Sequence, residues 1–350
     1  MLRTATILIL IWTIAVGASL VIADAAATEG HSTPDLPAIT PGPRTAPIFI
    51  FHTDEFWLNL HHFLYVLGRV ENKERDAGRE AVKNAPAEQD AALTRLNAKE
   101  GTTWREAVAW YAAGPSKKDL IFDDDLSAIT ERVAAAGSAK TAVGVDSVFA
   151  AVLERAAPVY RKAWWPRHHA ANRAWVAETE VLVQKYGAQV LAFILDRYRL
   201  AWPAKGYPIH VSGFANWAGA YSVTDRLLVV SSLSVGNKGP GGMESVFHES
   251  MHQWDVQIEA ALEVQAKAAG QPVPGGLSHA LIFYTAGEAV RRVVPNYTTF
   301  AETAGIWQRG LARFKPILDE VWKPYLDGHG TRDEAFAKLI RRSAVPPSKP

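Results

Sequence analysis

The chain has 350 residues, 48% of them hydrophobic and 21% charged, with a formal net charge of +1 and a pI of about 8.0. That balance supports a sizeable core and excludes a globally disordered chain. Near-neutral charge without a basic arm leaves no electrostatic footprint for nucleic acid. The absence of cysteine excludes disulfides, a cysteine-linked lipid anchor, cysteine metal ligands and a cysteine nucleophile.

Arg3, the apolar run 5–22 and the triplet Ala23-Asp24-Ala25 predict an export signal over 1–25, cleaved before Ala26. The alternative is an uncleaved N-terminal anchor, since about 18 apolar residues nearly span a bilayer. Either reading puts the folded part outside the cytoplasm, periplasmic or extracellular, with no other membrane contact expected. A cysteine-free exported chain fits a bacterial periplasm. Residues 26–47 carry Pro34, Pro37, Pro41, Pro43 and Pro47 and predict an extended tether.

Residues 48–200 predict a mostly helical N-terminal region. It opens with a short buried strand at 48–51. Thr53 and Asp54 then offer caps for a helix bearing Phe56, Trp57, Leu60, Phe63, Leu64 and Leu67. The charged stretch 71–100 predicts solvated helix. Thr103 and Glu106 form a capping-box pattern before a helix over 107–113, which Gly114-Pro115 stops. Asp123, Asp124 and Asp125 predict a helix cap, because no loop of alternating oxygen ligands follows them. Residues 146–200 predict two long helices interrupted near Trp165-Pro166, with a kink at Pro158.

Residues 201–342 predict the catalytic region, and 343–350 a flexible tail. Strands are expected over 208–223 and 226–232, joined near Thr224-Asp225. A glycine-rich loop, 237–242, leads into one long helix over 243–268 that contains FHESMHQWD. Pro272, Pro274, Gly275 and Gly276 end it. Ser278 is expected to cap a further helix running to Val294, and Thr331 with Glu334 to cap the last one. The fold class is α+β, mostly helical, with a small antiparallel or mixed sheet beside the histidine-bearing helix.

On that helix His248 and His252 lie one turn apart on one face, so both imidazoles can reach one zinc ion. Glu249 sits about 100° around the helix, placed to overhang the ion and accept a proton from water. A hydrolytic zinc takes a third protein ligand and keeps one position open. Asp255 and Ile258 stand where the metzincin pattern has Gly and His, which excludes that version. Glu259 lies about 10 Å too far along the helix. The next helix holds FYTAGEAVRR, and there Glu288 is the expected third ligand. His279 and Glu302 are the alternatives, and Ala286 and Gly287 would allow a close helix approach. Glu288 could instead be paired with Arg291 or Arg292 at helical spacing.

HESMH followed by a glutamate on a later helix resembles the gluzincin branch of the zincin metallopeptidases over residues 208–294. The resemblance implies a zincin-like fold and one zinc per chain held by His248, His252 and Glu288, with Glu249 as general base. The family's aspartate four residues after the glutamate ligand is Arg292 here, so Asp255 is expected to hold His252 instead. Residues 241–245 superficially match an exopeptidase motif, but that motif belongs on a strand far upstream, so the match is rejected.

Peptide or protein is the expected substrate, paired along an edge strand at residues 217–222. Tyr284, His279 and Tyr221 are candidate oxyanion donors. The adjacent pairs His61-His62 and His168-His169 point apart on a helix and do not chelate together, although His61 or His62 could line the cleft. The 12 tryptophans fall mostly at helical spacing and predict packing. The expected activity is zinc-dependent peptide hydrolysis. A zinc hydrolase of a non-peptide ester or amide, and a non-catalytic envelope binding protein, are the alternatives.

Overall fold

The computed structural model describes residues 46–343 apart from 74–78, 143 and 224–226. The expected leader, its cleavage point and most of the tether fall outside the described residues, as does the tail after 343. Among the described residues no helix is long and apolar enough to cross a membrane.

Four short strands form one mixed sheet: β1 (Phe49–His52), β2 (Tyr207–Ser212), β3 (Ala220–Val223) and β4 (Leu227–Ser231), in the order β1-β2-β4-β3. β1 and β4 run parallel to β2, and β3 returns antiparallel on β4 as an edge. Between β1 and β2 come α1 (Phe56–Glu71), α2 (Ala98–Ala113), α3 (Asp124–Ala136), α4 (Ser147–Ala163), α5 (Trp165–Leu182) and α6 (Ala188–Tyr198). After β4 come α7 (Pro240–Met251), α8 (Asp255–Ala269), α9 (Leu277–Arg291), α10 (Phe300–Thr303) and α11 (Arg332–Arg342). The chain is mostly helical around a small sheet, as the sequence predicts. β1, from the N-terminal region, pairs with β2, from the C-terminal one, so both regions share one sheet.

Side-chain alternation on β4 explains the layering. Leu228 and Val230 face a core built with α7, α8, α9 and α11, whereas Leu227 and Val229 face one built with α1 to α4. The strand is therefore apolar on both faces, as expected for a central strand covered on each side by helices. Each such side chain contributes about 1.5–3 kcal/mol when fully buried.

Several expected elements shift. The capping box of α2 is Asn97 with Glu100, not Thr103 with Glu106, because the helix runs on through Gly101. The stretch 71–100 is broken, with α1 ending at Glu71 and a separate helix at Ala85–Leu93. Asp123 caps α3 through the Leu126 amide. Pro158 is accommodated inside α4, and Trp164 ends that helix.

The expected strand 208–223 splits in two. At Gly213 the backbone passes so close to His168 that a Cβ would lie 3.0 Å from its ring, and a turn follows with Gly219 at φ 87°. The expected long helix 243–268 also splits, at a 3-10 turn over His252–Trp254. Ser278 does not cap α9. Gly276, in left-handed conformation, precedes that helix, and the Ser278 hydroxyl bonds Glu259 instead.

His61 and His62 are fully buried and line no cleft. Thr130 Oγ1 donates to Leu126 O, so it accepts from His61 Nε2 at 3.2 Å, and Tyr111 donates to Nδ1 at 2.8 Å. His62 Nδ1 donates to Leu58 O, leaving Nε2 to accept the Tyr221 hydroxyl at 2.8 Å. Both rings are satisfied as neutral imidazoles. Burial lowers the His61 pKa from 6.5 to about 3.

The unfolded chain therefore binds one more proton than the folded chain between those values. Stability falls as pH drops through that window by about 1.4 kcal/mol per unit. His61→Leu should destabilise by about 1–3 kcal/mol at pH 7, through the unpaired Tyr111 and Thr130 groups. Urea titrations should show that deficit shrinking from pH 6.5 to pH 5; a constant deficit would contradict a neutral buried His61.

Candidate metal centre

α7 is set against the sheet by Asn237. Its Nδ2 donates to Gly219 O at 2.8 Å and Ser231 O at 3.0 Å, and its Oδ1 accepts from Ser245 on α7 at 2.9 Å. Pro240 occupies the first turn, where a missing N–H costs nothing. A Cβ on Gly242 would lie 2.4 Å from Asn237 O, so only glycine permits this tight entry.

α7 then presents His248 and Glu249 beneath the edge strand. Ser222 on β3 alternates to the α7 face, and its Oγ lies 2.7 Å from both Glu249 Oε2 and Glu249 O. The edge strand thereby fixes the carboxylate directly. Burial raises the Glu249 pKa above its ordinary value, against the opposing pull of His252 and Ser222.

The 3-10 turn orients His252. Side chains three apart nearly eclipse in that geometry, so Asp255 lies over the ring and accepts from Nδ1 at 3.0 Å. Nε2 keeps its lone pair for an ion, which is how outer carboxylates set histidine ligands. Burial opposes a charge on His252, but the Asp255 bond and charge outweigh it and raise its pKa. Asp255 has the role the sequence predicts for it.

The third imidazole is His279, in the first turn of α9. Ligand atoms of His248, His252 and His279 all lie within 4.8 Å of one another. Ring centroids are 5.1 Å apart for His248–His252, 5.4 Å for His248–His279 and 5.0 Å for His252–His279. His248 Nδ1 is buried without a hydrogen-bond partner. Burial, then the neighbouring imidazoles, holds His248 well below its ordinary pKa. Three imidazole donors, a buried ring nitrogen with no protein partner and a carboxylate behind His252 fit a metal ion.

Glu288, the expected third ligand, is not brought to this group. It follows His279 by 288 − 279 = 9 positions, about 180° around the helix. There it meets Arg291 Nη1 at 3.1 Å, Arg292 Nη1 at 2.9 Å and Lys323 Nζ at 3.7 Å. Glu302 bonds Arg291 at 2.6 Å and is likewise committed elsewhere. Tyr284 shares the Glu288 side of α9 and donates to Asp319 at 2.7 Å, and Tyr221 donates to His62, so neither serves the centre as an oxyanion donor. Arginines at i+3 and i+4 were the sequence signal that Glu288 is ion-paired.

No protein-family model, curated protein or solved structure matches the chain.

Sequence reasoning missed Ser222 and Phe283. The Phe283 ring lies 3.9 Å from His248 and 4.7 Å from His279, centroid to centroid, and walls the group on one side. The spacing His279–Phe283, one helical turn, was a legible hint that both share a face.

His279→Ala should weaken zinc binding by more than about 100-fold, beyond the usual effect of losing an outer partner. Glu288→Ala should keep the metal and lose about 1–3 kcal/mol of stability, because three cations lose their shared partner. Metal content after dialysis and thermal unfolding read both; zinc loss in Glu288→Ala alone would restore the carboxylate as ligand.

Proposed function

We propose that the chain is an exported, zincin-type zinc hydrolase that cleaves peptide bonds. The observation that carries this reading is the convergence of His248, His252 and His279 beside Glu249. The three imidazoles would hold the ion, which would supply acidification of water and polarisation of a carbonyl. Glu249 takes the proton of the attacking water and delivers it to the leaving nitrogen. Ser222 keeps the carboxylate turned toward the histidines, and Asp255 holds the His252 tautomer.

The edge position of β3 supports a peptide substrate. Among the described residues β3 pairs only with β4, and Ser222 lies on that strand beside Glu249. An extended chain laid along β3 would pass directly over Glu249, with main-chain bonds supplying affinity. The three-imidazole set departs from the gluzincin pattern, whose third ligand is a glutamate.

Glu249→Gln should bind zinc as the wild type does and lose at least about 100-fold in turnover on a peptide library. Ser222→Ala should lower turnover about tenfold, the worth of one hydrogen bond to the base, with Thr restoring most of it. Normal cleavage by Glu249→Gln would end the mechanism. Zinc-loaded wild type that cuts ester or non-peptide amide probes but no peptide would move the substrate to that class.

A further inference from the structure

Glu244 lies on α7 one turn before His248 and is 1% exposed. Burial raises its carboxyl to about 7, against the pull of the Phe300 amide. A carboxyl in such a place costs several kcal/mol unless its bonds repay it, and an apolar side chain would pack there at less cost. What the acid supplies is specific. Its Oε2 accepts the backbone N–H of Phe300 at 3.0 Å, at the start of α10. Its Oε1 abuts Gly287 of α9, where a Cβ would lie 3.3 Å away and would also strike Thr299 at 2.7 Å.

The residue held in this way leads back to the histidines. The Phe300 ring is wedged against Gly236, where a Cβ would meet it at 3.0 Å. Its other neighbour is Phe283, parallel within 2° at a centroid distance of 6.3 Å. Phe283 in turn packs on His248 and His279. α7, α9 and α10 thus meet in one chain of contacts: carboxyl to backbone, ring to ring, ring to imidazole.

We propose that Glu244 is a positioning residue for the metal centre, acting through Phe300 and Phe283 to keep His248 and His279 converged. This rests on the reading that three imidazoles hold the ion. Glu244 touches no reacting group, and its effect is on the geometry of the ligands.

Calorimetric titration of the full chain with zinc alone tests this, alongside circular dichroism to confirm folding. Glu244→Gln keeps an oxygen acceptor for the Phe300 amide and should bind within about twofold of wild type. Glu244→Leu and Phe300→Ala should each weaken binding by about 10–100-fold, the range for partners that orient ligands. Because both act along one path, the double variant should bind no more weakly than the worse single.

Folded Glu244→Leu or Phe300→Ala with wild-type affinity would overturn the proposal, as would a loss in Glu244→Gln equal to that in Glu244→Leu. If Glu244→Leu does not fold, Phe300→Ala decides alone. Wild type that binds no zinc, or His279→Ala that binds it normally, would sink the metal reading itself. Loss confined to His279→Ala would sink only the role of Glu244.

Discussion

Three imidazoles brought together from α7, the turn that follows it and α9, one buried, one half-buried and one exposed, constrain most of what surrounds them. His248 is buried and held well below its ordinary pKa, first by burial and then by the neighbouring imidazoles, whereas His279 is exposed in the first turn of α9. For His252 the Asp255 bond and charge, together with the Glu249 charge, outweigh burial and raise its pKa. Neutral rings with free lone pairs are what a divalent ion requires. His248 Nδ1 is buried and makes no hydrogen bond to another protein group, which leaves it available as a ligand atom.

The scaffold around the rings is built to resist movement. At the ends of β2 and β4 a seam of buried amides and hydroxyls replaces apolar packing. Asn59 accepts from Gly213 N and Asn172, and donates to Val211 O, while Ser232 donates to Asn172. Asn237 extends the seam to α7 through Ser245. A fully bonded polar network specifies one arrangement more sharply than apolar contacts do. Here it sets the height and rotation of α7 under β3, and with them the approach of Ser222 to Glu249. The helices packed on the far face reach the same strand through His62 and Tyr221.

Much of this was legible in the sequence, for local reasons. The strand 48–51, the cap at Asp123, the break at Trp165-Pro166 and the Thr331–Glu334 box are signals of near neighbours, and each appears close to its expected place. The histidine spacing placed His248, His252 and Glu249 side by side through helix geometry alone. What was not legible depended on contacts distant in the chain. The break in 208–223 comes from His168 pressing on Gly213, and the kink at His252–Trp254 redirects α8. The third donor was expected at Glu288 from its place on the next helix beside the small residues Ala286 and Gly287, and the family resemblance agreed. Its two arginine neighbours and its place opposite His279 on α9 argued against it, and the structure follows that local evidence.

X-ray absorption at the zinc edge of the metal-loaded protein tests the central claim most directly. Three imidazole nitrogens at about 2.0–2.1 Å, recognised by the outer-shell scattering of their rings, with one oxygen completing the shell, are predicted. A shell with two imidazoles and a protein carboxylate, or zinc bound without histidine, would contradict a centre formed by His248, His252 and His279.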